Sequence, residues 1–313
     1  MRQKADTHVH TQYSGYSNLG ILKFPESVTS PEQQVDRARR NGIDVLCITD
    51  HDETAGAFVA QRYASGYDDI DVVVGEEVMT SEGEVIGLWL TERIEPGMTM
   101  AETIDAIRDQ GGLTIAPHPF SFHVAGMNDI LFEHDLDGFE VINGGHPDPY
   151  SNLFARAVME KYRDRWAPIS GSDGHSVYTV GYNWTEFEGE GEDGLRKSIL
   201  DRTTVPCGGP APVLASVQWS VEVVHGGQKL MRRSLRSRLD DVDGDHLIEK
   251  INGISDLKKA TGILGGYLYL YSGAIVLATV ASTFYLNRRA KALLKEMPHR
   301  LAATECLIRD APF

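Results

Sequence analysis

Short apolar runs punctuate the first two thirds of the chain at 5–10, 43–49, 70–75, 85–90, 113–117, 138–142 and 168–171, and they predict seven strands. Most of the intervals between them read as helices. Ser30 caps a helix that opens with Pro31, buries Val35 and Ala38, and stops at Asn41-Gly42. Thr99 caps another with Glu102 as its box partner, Ile104 and Ile107 as the buried stripe, and Gly111-Gly112 as the stop. Residues 151–165 and 193–201 carry two further helical patterns, and the Glu/Gly run at 186–194 reads as an exposed loop. Strands that alternate with helices predict an α/β fold with a parallel sheet, most economically a TIM-like barrel whose site lies at the C-terminal ends of its strands.

The pattern changes after residue 205. Pro206-Cys207-Gly208-Gly209-Pro210-Ala211-Pro212 reads as a linker that closes a domain at 1–205. In the following segment, 206–259, Lys229, Arg232, Arg233 and Arg236 recur at three- and four-residue steps, the pattern of a basic amphipathic helix suited to a membrane surface. No charged residue occurs from Ala260 to Asn287, a run long enough to span a bilayer. Lys258 and Lys259 precede it, Arg288 and Arg289 follow it, and Tyr267, Tyr269, Tyr271 and Tyr285 lie near its ends. The expectation is a transmembrane helix at 260–287 followed by a basic tail at 288–313. Four glycines within the run leave a buried helical hairpin as the alternative.

Composition sharpens this division. The chain has 313 residues, 42% of them hydrophobic, and a net charge of −15, enough material for one barrel-sized core and an appendage. Residues 1–212 hold 35 acidic against 16 basic side chains, a net −19, whereas 213–313 hold 10 against 14, a net +4. An acidic body disfavours nucleic acid as a partner, and a basic end suits anionic surfaces. Cys47, Cys207 and Cys306 are far apart and imply no disulfide framework or Cys-based metal motif. With no apolar signal-peptide region at the start, the body is expected in the cytoplasm, anchored by the C-terminal segment or else soluble.

The chemistry sits where the strands end. His8 and His10 are two residues apart on one strand and so share a face. Asp173 and His175 repeat the device, and His51, the Glu76-Glu77 pair and His118 each follow an apolar run. Imidazoles and carboxylates gathered at one barrel mouth suit zinc, manganese or iron. Alternation alone does not choose between Glu76 and Glu77. His123 and His146 lie on loops after strand ends, where either could protonate a leaving group; Asp50, which with Asp52 flanks His51 where both could orient ligands, is the third residue expected in catalysis. No G-x-G-x-x-G, Walker or G-x-S-x-G motif is present.

The set Asp6-x-His8-x-His10, Thr49-Asp50-His51-Asp52, Gly75-x-Glu77, His118-Pro119 and Ser172-Asp173-x-His175 resembles the PHP family, named for polymerase and histidinol phosphatase. The resemblance spans about residues 3–205. It implies a distorted (β/α)7 barrel, phosphoesterase chemistry, and His8, His10, His51, Glu77, His118, Asp173 and His175 as metal ligands. Two positions depart from the family pattern. Gly15 stands where many members carry an aspartate, and Glu84 stands where many carry a histidine, so Glu84 is the expected substitute ligand. Two divalent ions are therefore expected, a third being known in the family. The expected function is hydrolysis of a phosphomonoester, nucleotide or short oligonucleotide. A phosphate-sensing barrel without turnover and a subunit of a nucleic-acid processing complex are the alternatives.

Overall fold

The computed structural model describes residues 2–19, 22–240 and 244–310. Positions 20 and 21 of the first loop, 241–243 of the 206–259 segment, and 311–313 of the expected tail lie outside them, as does the Cys306 side chain. In chain order the elements are β1 (Arg2–Val9), a hairpin of β2 (Tyr16–Leu19) and β3 (Leu22–Pro25), α1 (Pro31–Arg40), β4 (Val45–Ile48) and α2 (Ala55–Ala64). There follow β5 (Asp71–Thr80), β6 (Gly83–Leu88), α3 (Met100–Asp109), β7 (Leu113–Ala116), β8 (Gly138–Asn143), α4 (Pro149–Lys161) and β9 (Ala167–Gly171). Then come β10 (Asn183–Glu188), α5 (Gly191–Leu200), β11 (Val205–Gly208), α6 (Val213–Ser234), α7 (His246–Gly253), α8 (Asp256–Tyr271) and α9 (Ala274–Asp310).

All seven expected strands form, and they join a nine-stranded sheet in the order β11-β10-β1-β4-β5-β6-β7-β8-β9. The sheet nearly closes on itself: beyond β9, the Gly174 carbonyl accepts from His10 N at 3.1 Å, and Thr7 Oγ1 donates to the Ser170 carbonyl at 3.2 Å. Side chains of β4 alternate between two cores. Val45 and Cys47 join an interior cluster with Val73, Ile115, Ile169 and, from α5, Leu195 and Ile199. Leu46 and Ile48 join an outer cluster under α1 to α4. Ala5 also faces the interior, and the register shifts between Asp6 and Val9. That bulge lets His8, an odd number of residues away, point into the barrel as well.

The expected all-parallel sheet is corrected at β6, which is antiparallel to both β5 and β7. The run at 70–75 continues to Thr80, and Ser81-Glu82-Gly83 turns the chain straight back, with Gly83 at φ 132°. No helix intervenes, so the crossover that a parallel pair needs is absent. Because β6 runs backwards, its first residues, and Glu84 with them, lie at the mouth.

Three further expectations change. The 186–194 loop is instead the end of β10 and the start of α5. The Pro206–Pro212 linker begins with a strand, since β11 pairs with β10 along 183–186. The 260–287 run is not one helix: Gly273, at φ 75°, separates α8 from α9, and the two helices bend by 69°. Among the described residues no single helix is long and apolar enough to cross a membrane, although the bent pair is by length and composition.

The expected tail is the docked half of α9. Ala290 and Ile308 are buried in the outer cluster with Leu293, Met297 and Leu301 against it. Arg300 donates to the Tyr150 hydroxyl at 2.7 Å and to Asn128 Oδ1 at 2.8 Å. Lys229, Arg232 and Arg233 are exposed on α6, and Arg236 lies past its end.

Candidate metal centre

Glu77 is the hub of the mouth. Its Oε2 lies 3.2 Å from His8 Nε2, 3.3 Å from His10 Nε2 and 3.1 Å from His51 Nδ1, and its Oε1 lies 3.0 Å from His118 Nε2. Asp173 Oδ1 stands 3.6 Å from His8 Nε2, 3.3 Å from His10 Nε2 and 3.4 Å from His175 Nδ1. Glu84 approaches His118 Nε2 at 3.8 Å and His51 Nδ1 at 4.0 Å. The barrel thus brings together all eight residues expected to hold metal. Glu76 points the other way and accepts from Ile94 N at 2.7 Å, so of the pair it is Glu77 that faces the other candidate donors.

These close approaches of imidazole and carboxylate atoms also suit a cation bound among them. His8 Nε2 and His10 Nε2 face each other at 2.9 Å with carboxylate oxygens of Glu77 and Asp173 beside them, so donor atoms of both kinds converge on one point. Four overlapping triads bring donor atoms within 4.8 Å: His10-His51-His175, His8-His118-Asp173, His8-His10-Glu77 and His51-Glu77-Glu84. Glu84 Oε2 and His118 Nδ1 are buried with no hydrogen-bond partner among the described residues. Burial, then the neighbouring His175 and His51 charges, push His10 down to about 3; burial opposes charge on His8, His51, His118 and His175 too, yet the carboxylates around them draw all four up, so a cation bound here would displace protons from those rings. Burial opposes ionisation of Glu77 and Asp173, yet the surrounding imidazoles hold both well below the usual carboxylate range. Burial beside Glu77 pushes Glu84 up to about 7.

A second layer orients this set, and part of it was not anticipated. Glu140, the one acidic residue of β8, sits 3.0 Å from His8 Nδ1 through Oε1, while its Oε2 accepts from His118 N at 2.7 Å and Asn143 Nδ2 at 2.8 Å. A carboxylate on the far nitrogen fixes the ring that ligates. An acid within a buried Gly-Phe-Glu-Val-Ile-Asn strand is a signal that sequence could have offered. Asp50 accepts from Thr11 N at 2.5 Å, Thr11 Oγ1 at 2.7 Å and Ser14 Oγ at 2.6 Å, and Ser14 Oγ lies 2.9 Å from His10 Nδ1. Asp50 is fully buried and does not line the cleft, and it reaches the donor set through Ser14 and His10. Asp52 accepts from Met79 N at 2.8 Å and ties the His51 loop to β5.

Glu26, just after β3, was also missed. Its Oε2 lies 3.0 Å from His51 Nε2 and 3.8 Å from His175 Nε2, and despite its burial those imidazoles hold it below the carboxylate range. It comes from the same first loop as Gly15, whose φ is 82° and which offers no side chain. No pattern in the sequence points to it, because a hairpin brings it back over the mouth.

The cleft above these residues has a volume of about 440 Å³. Phe24, Met79, Val124 and Trp219 supply apolar walls, and no Lys or Arg lines it among the described residues. Trp219 comes from α6, donates Nε1 to the Glu26 carbonyl at 2.8 Å, and lies 5.8 Å from the His175 ring. His123 and His146 both line the cleft. His146 is buried, with Nδ1 2.8 Å from Asn143 Oδ1 and Nε2 2.9 Å from Ser121 Oγ, so both nitrogens are engaged. His123 is half-buried, and its Nε2 lies 3.2 Å from Asp148 Oδ2.

The model of the PHP domain matches residues 6–140. The chain belongs to the PHP family. The uncharacterized protein MJ1587 of Methanocaldococcus jannaschii is 45% identical over 152 residues, covering 49% of the PHP chain and 88% of that protein. MJ1588 of the same organism is 31% identical over 118 residues, 38% of this chain and 99% of its own. The error-prone DNA polymerase of Mycobacterium tuberculosis is 28% identical over 146 residues, 45% of this chain but 12% of the polymerase. Among solved structures, PsfC from Pseudomonas syringae aligns with a TM-score of 0.49 and 20% identity over 75% of this chain and 99% of its own. An amidohydrolase from Chromobacterium violaceum aligns with a TM-score of 0.44 and 16% identity over 64% and 97%.

Proposed function

We propose that the protein is a metal-dependent phosphoesterase acting on a small phosphomonoester. The observation that carries this reading is the convergence of imidazole and carboxylate donors on Glu77 at the floor of a cleft. Family membership supports metal-dependent hydrolysis in general. The ions would be held by His8, His10, His51, Glu77, Glu84, His118, Asp173 and His175, together with Glu26. With Glu26 in place of the carboxylate that Gly15 cannot supply, the donors suffice for three ions rather than two. Divalent ions in such a site neutralise phosphate charge and lower the pKa of water toward neutrality.

The chain's own groups do the rest. Glu140 and the Asp50-Ser14 pair keep His8 and His10 aimed inward. His123, backed by Asp148 and open to the cleft, gives its proton to the leaving oxygen, while His146, with both nitrogens engaged, props the ring beside it. That no Lys or Arg lines the cleft among the described residues favours a substrate with one phosphate and an uncharged remainder against Phe24 and Trp219. An oligonucleotide fits less well, because its further phosphates would need cations, and among the described residues Arg93 is the one Lys or Arg lining the adjoining cleft around Glu26, His51, Met79 and Glu84. A screen of phosphorylated metabolites with the manganese- or zinc-reconstituted full chain tests this. Release of inorganic phosphate from a monophosphate, lost on chelation, is expected, whereas turnover of oligonucleotides alone would contradict it.

A further inference from the structure

The pair α8–α9 wears its apolar side chains outward. On α8, Leu257, Leu264, Leu268 and Tyr271 are exposed and separated by seven, four and three residues, which places them on one stripe. On α9, Leu277, Val280 and Phe284 form a second stripe, and Leu268, Leu277 and Phe284 are 66%, 71% and 70% exposed. The inward face of α8 is the narrower apolar one, with Gly262 and Gly266 beside buried Lys259 and half-buried Ile263 and Leu270. Gly262 and Gly266 abut Met231 and Gln228 of α6, and Gln228 Nε2 donates to the Ile263 carbonyl at 2.8 Å. A water-facing helix has the opposite arrangement.

Charge distinguishes the occupants that could cover these stripes. From 257 to 295 the sequence has no acidic residue, in a chain whose net charge is −15. Exposed Lys258 stands at the start of α8, exposed Arg288 and Arg289 stand past the stripe on α9, and Lys229, Arg232 and Arg233 stand on the adjacent α6. A symmetric dimer through this patch would set these like charges against themselves. An anionic bilayer satisfies both the stripes and their basic border.

We propose that α8–α9 is an interfacial anchor that lies in the headgroup region of an anionic membrane without crossing it. Its 16 residues make α8 about 24 Å long, short of the roughly 30 Å hydrocarbon core. The 69° bend keeps α9 out of line with it, and the far half of α9 is fixed against the barrel by Ala290, Met297, Arg300 and Ile308. Bound this way, the anchor would hold the barrel beside the membrane surface.

Flotation of the full chain with phosphatidylcholine vesicles, with and without a quarter of phosphatidylglycerol, tests the proposal. The expected result is binding only with the anionic lipid, release at high salt or by alkaline carbonate, and at least tenfold weaker partition for Leu268→Glu and Phe284→Glu. Metal content of those variants, unchanged, shows that the barrel is folded. Three results would overturn the inference: no binding to either vesicle, retention after carbonate extraction as a spanning segment, or a lipid-free dimer that the same substitutions dissociate.

Discussion

In the barrel, Val45 and Cys47 point inward, Leu46 and Ile48 point under the helices, and all four are fully buried. In the α8–α9 pair, Leu264, Leu268 and Leu277 are each more than 60% exposed, and the face turned to α6 sets Gly262 and Gly266 against Met231 and Gln228. Both regions are rich in apolar residues, yet only the barrel uses them to hold itself together. The difference separates residues that the fold needs from residues available for an external partner.

Substitution measures this contrast. Leu46→Ala should lower unfolding free energy by about 2–5 kcal/mol, since it removes a fully buried side chain from a packed cluster. A loss under about 1 kcal/mol in urea titration would mean that the barrel core is looser than its burial indicates. At the mouth, Glu140→Gln should weaken metal affinity by roughly 10–100-fold with the fold intact, because the carboxylate behind His8 orients it. Competition with a chelator reads this, and an unchanged affinity would reduce Glu140 to a packing residue. On the arm, Leu268→Ala should change stability by no more than about 0.5 kcal/mol. A larger loss would place Leu268 in a core that its exposure denies.

The same contrast explains what was legible in the sequence. A barrel strand is constrained on both sides, so its apolar run and the ligands at its end can be read together, as with His8-x-His10 and Asp173-x-His175. The direction of a strand is a different matter. The candidate ligand Glu84 lies at the start of β6, and only the tight turn at Ser81-Glu82-Gly83, with no room for a helix, tells that this end faces the mouth. Glu140 was legible in principle, as an acid in a buried strand. Glu26 was not, because its approach to His51 depends on how the β2–β3 hairpin folds over the barrel. An uncharged run constrains a helix least: 260–287 has the composition of a span, but Gly273 breaks it, and contacts beyond Arg289 hold the rest of α9 to α4 and its neighbours.

The central claim is that the mouth is a centre for several metal ions in which Glu26 replaces the carboxylate absent at Gly15. Elemental analysis of the full chain after chelation and reconstitution tests it most directly, with Glu26→Gln and Asp173→Ala measured beside it and circular dichroism as the check on folding. The account predicts about three divalent ions per chain, one fewer in Glu26→Gln, and a larger loss in Asp173→Ala. A ratio that stays the same in Glu26→Gln, or no bound metal in the unaltered chain, would contradict it.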